Sequence, residues 1–240
     1  MAVATAVVLW QLAAVYIGEE VLLVSPLKVV SRLCELVFAQ EFWSAVLFSF
    51  KRITLGFVLA VLCGCALAVT SYRYRIVEVF LWPYMAVIKA IPVASFIILC
   101  LIWLTSSSLP VFISFLIVLP VIYTNMLQGF KSTSKEMHQM ADIFRLSFTR
   151  RLVYIYLPKL KPYILSALSV SLGLAWKSGV AAEIIGIPDG SMGEMLYQAK
   201  LYLATSDLFA WTVVIVLISI AFEKVVLWTV NRIFRKLEDM

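Results

Sequence analysis

Apolar residues in this chain come in long unbroken runs, not in the alternation of a half-buried strand, and a helix needs about 20 such residues to cross a bilayer. Six runs stand at about 3–24, 42–70, 76–104, 109–130, 159–186 and 207–231. They predict an all-α membrane protein with six transmembrane helices. No polar block between them is long enough to fold separately, so 1–240 reads as a single membrane domain. The stretch 3–17 has no basic segment before it and no small-residue cleavage site after it, so it is not read as a removable signal. A weaker, amphipathic piece at 26–40 opens on Ser25-Pro26, a helix start, and carries Lys28, Arg32 and Glu35. It is expected at a membrane surface.

Between 129 and 158 the apolar spacing changes from continuous to periodic. Thr133-Ser134-Lys135-Glu136 fits a capping box, in which the threonine hydroxyl takes the N3 amide and the glutamate reaches back. Met137, Met140, Ala141 and Phe144 follow at i, i+3, i+4 and i+7, an apolar stripe on a helix that also bears Lys135, His138, Gln139, Asp142 and Arg145. Ser147 can cap a second short helix, with Phe148, Leu152 and Ile155 on one face and Arg150 and Arg151 on another. Pro158 and Pro162 suit the first turn of the membrane helix that comes next, where a missing N–H costs little. Two helices this short are unstable alone and need a surface to pack on. Lipid headgroups and a cytoplasmic protein partner both fit the pattern.

Composition agrees with the pattern: 63% of the residues are hydrophobic and 14% charged, against roughly half and a quarter in soluble domains. The net charge of +6 would suit nucleic acid in a soluble chain, but in a membrane protein it reports orientation. With the N-terminus inside, the inner segments hold twelve basic residues: Arg73, Arg75, Lys131, Lys135, Arg145, Arg150, Arg151, Lys159, Lys161, Arg232, Arg235 and Lys236. The outer ones hold three, Lys28, Arg32 and Lys200. Both termini and the 131–158 loop are therefore expected in the cytoplasm, and nucleic acid is not expected as a partner. The four cysteines are scattered among apolar neighbours and lack metal or redox spacing.

Lys51, Arg52, Lys89, Lys177, Glu183, Glu223 and Lys224 fall within or near the apolar runs, where charge is expensive and faces protein, water or headgroups. Lys51-Arg52 and Glu223-Lys224 can reach a boundary along their own stems. Lys89 precedes Ile91-Pro92, where a missing amide can open the helix towards a cavity. Lys177 stands beside Trp176, Ser178 and Gly179, with Glu183 too far along the helix for a direct neighbour contact. Lys89, Pro92, Ser95, Trp176, Lys177 and Glu183 are the candidates for a translocation path. No catalytic residue or metal set is expected: His138 is the single histidine, and H-E-x-x-H and G-x-S-x-G are absent. G-x-x-x-x-G-K-[ST] is absent too, so nucleotide binding is not expected on this chain. No internal repeat of the kind common in secondary transporters is visible.

Gln139-Met140-Ala141, Arg145 six positions on, and Ile155-Tyr156-Leu157-Pro158 resemble the EAA loop of ABC importer permeases, with Gln139 for its Glu, Met140 for its first Ala and Arg145 for its Gly. Ser25-Pro26, the stretch 49–57, Lys89-Ala90-Ile91-Pro92, Trp176 with Val180-Ala181-Ala182-Glu183, 190–193 and 198–200 extend the likeness in order along essentially the whole chain. The sequence is similar to the nitrate, sulfonate and taurine type of permease. That resemblance implies the type I ABC importer permease fold, working as a homodimer in the cell (inner) membrane. It implies two cytoplasmic ATPase subunits that carry the ATP and Mg, and an extracytoplasmic solute-binding protein. It also implies ATPase coupling through Thr133, Glu136, Met137, Met140, Ala141, Phe144, Arg145, Arg150, Arg151 and Pro158. Sulfonates, taurine, nitrate and vitamin precursors are the substrates it suggests. Arg145 would then either adopt the left-handed conformation natural to glycine or pass the turn to Ser147. The alternative to the importer is an ATP-independent secondary transporter or channel, with the loop as a membrane-surface anchor.

Overall fold

The structure is a computed structural model that describes residues 1–133, 135–145, 147 and 156–238. It is helical from end to end. Ten helices run in order among the described residues: α1 (Ala2–Ile17), α2 (Pro26–Val37), α3 (Gln40–Arg73), α4 (Arg75–Ala90) and α5 (Val93–Cys100), then α6 (Leu109–Lys131), α7 (Lys135–Ile143), α8 (Leu157–Gly186), α9 (Met192–Leu201) and α10 (Thr205–Glu238).

Helices α3, α6 and α8 form the packed centre. Lipid is as apolar as leucine, so close backbone approach and fitted side chains must hold such a bundle together. Small residues supply that approach: Ala60 and Ala68 on α3 and Ala167, Ala175 and Ala182 on α8 are buried. A Cβ on Gly179 would lie 2.6 Å from Ile53 Cγ1 and 2.7 Å from Ser114 Oγ, so only glycine lets α8 come this close to α3 and α6. Ser114 donates to the Ala175 carbonyl at 3.1 Å, and Tyr123 to Ser71 Oγ at 3.0 Å. These two buried hydroxyls thus find partners across the bundle.

Four helices are long and apolar enough to cross a membrane: α3, α6, α8 and α10. Helices α4 and α5 are together apolar enough to count as a fifth candidate span, bent by 102° at the break between them. Pro92 cannot donate there and forces Ile91 out of the α region, to ψ 127°. The continuous span expected over 76–104 is therefore broken. The span expected over 3–24 is helical only to Ile17, because Gly18 at φ +68° caps α1 in the left-handed conformation. At 16 residues, α1 reaches about 24 Å, short of the roughly 30 Å of hydrocarbon. Helix α10 is peripheral: only 6% of its apolar window is buried, against 56% for α6.

The bundle has two ends. A Cβ on Gly186 would touch Leu109, and one on Gly129 would touch Leu160, so α6 and α8 run antiparallel with these pairs at opposite ends. Helix α7 lies at the Gly129 end. Helices α2 and α9 lie at the other, where Arg32 of α2 forms an ion pair with Asp207 of α10. Hydrogen bonding to Asp207 and then to Glu35 raises the Arg32 pKa above its ordinary value.

Candidate functional site

At the Gly129 end, α7 and the turn after it present an apolar face that is exposed among the described residues. Met140 is 44% exposed and Phe144 70%, while Met137 is partly buried. Ile143 is 78% exposed and belongs to the same patch. The stripe read from the sequence omits it, although an apolar residue three positions after Met140 was a signal for it. Glu136 and Pro158 are exposed, the latter in the first turn of α8. The helix begins at Lys135, and Thr133 Oγ1 is buried without a hydrogen bond, so the threonine of the expected box does not cap it. Arg145 has φ +46° and is exposed, so the turn stays at Arg145 in the left-handed conformation. Arg150, Arg151 and the second short helix lie outside the described residues, as does the side chain of Ala141.

Within the membrane-spanning bundle, α8 turns one face inward and another outward. Trp176 is buried against Phe50 and Phe222, and Glu183 is buried as well. Ser166, Val170, Lys177 and Ile184 share the exposed face. Among the described residues Lys177 has no hydrogen-bond or ion-pair partner. Lys89 is exposed on α4, with Nζ 3.5 Å from Thr124 Oγ1 of α6. It lines a groove of about 340 Å³ with Trp82, Thr124 and Gln128, at one end of which Lys131 and Glu78 pair at 2.5 Å. Pro92 and Ser95 are exposed at the α4–α5 break. The candidate residues thus divide into an exposed set of Lys89, Pro92, Ser95 and Lys177 and a buried pair of Trp176 and Glu183.

Glu183 has partners that sequence spacing did not single out. Its Oε2 accepts from Ser49 Oγ at 2.7 Å and from the Gly193 amide at 3.2 Å, tying α8 to α3 and to the start of α9. In the sequence Ser49 stands out only as the first residue of the 49–57 stretch that carries the resemblance, with nothing to mark Glu183 as its partner. Nearby, Arg52 donates to the Ser107 carbonyl at 2.5 Å and lies 3.7 Å over the Phe48 ring, so its charge is held by the protein and not by lipid.

Residues 56–239 match the family model of the binding-protein-dependent transport system inner membrane component. The taurine transport system permease protein TauC of Escherichia coli (strain K12) is 27% identical over 220 residues, covering 89% of this chain and 80% of the relative. The nitrate import permease protein NrtB of Synechococcus elongatus is 23% identical, with 80% of this chain and 72% of the relative covered. The bicarbonate transport system permease protein CmpB of the same species is 22% identical, with 82% and 70% covered. A match across most of the helical bundle is family membership: the chain belongs to the binding-protein-dependent transport system inner membrane components.

Proposed function

We propose that two copies of this chain enclose the translocation path of an ATP-driven importer for a small solute bearing an oxyanion group. The observation that carries this reading is Lys177, exposed and unpaired among the described residues within the membrane-spanning helix α8. A lysine at the centre of a membrane helix costs roughly 3 kcal/mol against lipid. A water-filled path between two copies removes that cost, and an anionic solute gives the charge a use. The relatives named for taurine, nitrate and bicarbonate all handle solutes with negatively charged oxygens.

Energy enters at the other end. The chain has no phosphate-binding loop, so ATP and Mg belong to two separate ATPase subunits seated on α7. The exposed Met140, Ile143 and Phe144 fill a cleft in each ATPase, and Glu136, Arg145, Arg150 and Arg151 set the orientation. Thr133 and Pro158 mark the ends of this element. The excess of basic residues supports a cytoplasmic α7 end with both termini inside, so that α2 and α9 face outward, where a solute-binding protein delivers its cargo. Helix α1 completes a sixth crossing where the bilayer thins or the partner copy covers it.

Uptake into proteoliposomes tests the reading, with the chain, its ATPase and its binding protein, and labelled taurine, nitrate and bicarbonate as probes. ATP-dependent uptake of one of them is expected. Lys177→Gln should cut it by at least about ten-fold, the weight of one lost charge-assisted contact. Uptake that proceeds without ATP would make the protein a channel or secondary transporter.

A further inference from the structure

The start of α9 is held in place more completely than any other helix end among those described. A helix leaves its first four amides without internal partners. Here the Met192 amide donates to Ser49 Oγ at 3.0 Å and the Gly193 amide to Glu183 Oε2 at 3.2 Å. The Glu194 amide donates to Ser191 Oγ at 3.0 Å and the Ser191 amide to the Pro188 carbonyl at 3.2 Å. Ser49 acts in both directions, accepting from Met192 and donating to Glu183. Ser49, Glu183 and Met192 are each 0% exposed. A carboxylate at a helix N-terminus is also favoured by the amide dipoles aimed at it.

The backbones are as close as the side chains. A Cβ on Gly193 would stand 2.6 Å from the Glu183 carbonyl carbon and 2.7 Å from the Ile184 nitrogen, a separation that no side chain tolerates. Helix α9 therefore has no room to move towards α8 without displacing its last turns, and the hydrogen bonds to Ser49 and Glu183 oppose its moving away. On α8, Glu183 lies beyond Gly179, against which Ile53 of α3 is packed, and beyond the exposed Lys177. The far side of α9 is open: Leu201, Tyr202 and Leu203 are all more than 60% exposed on the turn that ends it.

We propose that Glu183 is a positioning residue whose carboxylate clamps α9 to α3 and α8, so that a force applied to α9 by the docked binding protein reaches the Lys177 face of α8 as a rigid-body movement. This rests on the preceding reading that the binding protein approaches from the α9 end. The clamp carries no chemistry. It links the surface that receives the binding protein to the helix that lines the path, because packed interfaces move as units and do not deform continuously.

The test uses the reconstituted complex of the chain with its ATPase subunits, and its binding protein added from outside. Two quantities are read: the ratio of binding-protein-stimulated to basal ATPase rate, and the maleimide labelling rate of Met192→Cys. The latter is measured with the four native cysteines replaced. Glu183→Ala should raise labelling about ten-fold, as expected when a buried pair of hydrogen bonds is lost, and abolish stimulation over the basal rate. Glu183→Gln keeps an acceptor oxygen and should retain both protection and stimulation. Gly193→Ala forces α9 outward with the carboxylate intact and should behave like Glu183→Ala, which decides the matter if the latter fails to insert. Stimulation that survives while position 192 becomes reactive overturns the coupling role, and unchanged labelling overturns the clamp itself. A wild-type complex that its binding protein does not stimulate contradicts the transport reading instead, and labelling still judges the clamp.

Discussion

Arg145 carries a conformation that its side chain disfavours. At φ +46° a non-glycine residue is strained by roughly 1–2 kcal/mol. The resemblance to the EAA loop puts glycine at this position, so the need for a left-handed turn was legible. Which residue would bear it was open until the backbone was seen. Arg145→Gly should relieve the strain and slow hydrogen exchange of the α7 amides about five-fold, equivalent to about 1 kcal/mol. Faster exchange would mean that the arginine side chain holds the turn. Glu183 shows the opposite limit of reading: the charge was conspicuous in an apolar run, but its partners Ser49 and Gly193 are 134 and 10 residues away in the chain. Helical spacing tests only neighbours three or four positions apart, so it could exclude Lys177 as a direct neighbour without finding the true ones.

The helices were legible where length and hydropathy decide, and less so where one backbone position overrides them. The runs at 42–70, 109–130 and 159–186 reappear as α3, α6 and α8 with ends shifted by a few residues. Gly18 was overlooked because Val21 to Val24 keep the average hydropathy high past the point where a left-handed glycine stops the helix. Pro92 was recognised as a place where the helix opens, but the size of the bend, 102°, was not legible, because proline breaks the helix without fixing the direction taken after it. Pro92→Ala restores an amide to the ladder and should let α4 run on into α5. Spin labels at Val79 and Leu99, both exposed, should then move apart towards about 30 Å, the span of 20 residues of straight helix. Uptake should fall with the bend. An unchanged distance would show that packing alone maintains it.

The whole molecule is a bundle with chemically different ends. Arg73, Arg75, Lys131, Lys159, Lys161, Arg232, Arg235 and Lys236 belong to the α7 end, while Glu41, Asp189, Glu194 and Asp207 belong to the α2 and α9 end. That asymmetry was readable from sequence, since the positive-inside rule needs only the order of the spans. Cys34 on α2 is exposed, so it should react in intact cells with a membrane-impermeant maleimide, with the other three cysteines replaced. Labelling only after lysis would invert the topology. Where the proposed second copy would pack was not readable, because an exposed apolar helix such as α10 serves lipid and protein alike.

The central claim, that this chain is the membrane subunit of an ATP-driven importer, is tested most directly by purifying it in detergent from its native membrane and identifying its companions by mass spectrometry. The account predicts a stable complex with an ATPase that carries a phosphate-binding loop, lost when Met140 and Phe144 are both replaced by Asp while the chain still inserts. A chain that purifies without an ATPase and still moves solute into liposomes without ATP would contradict it.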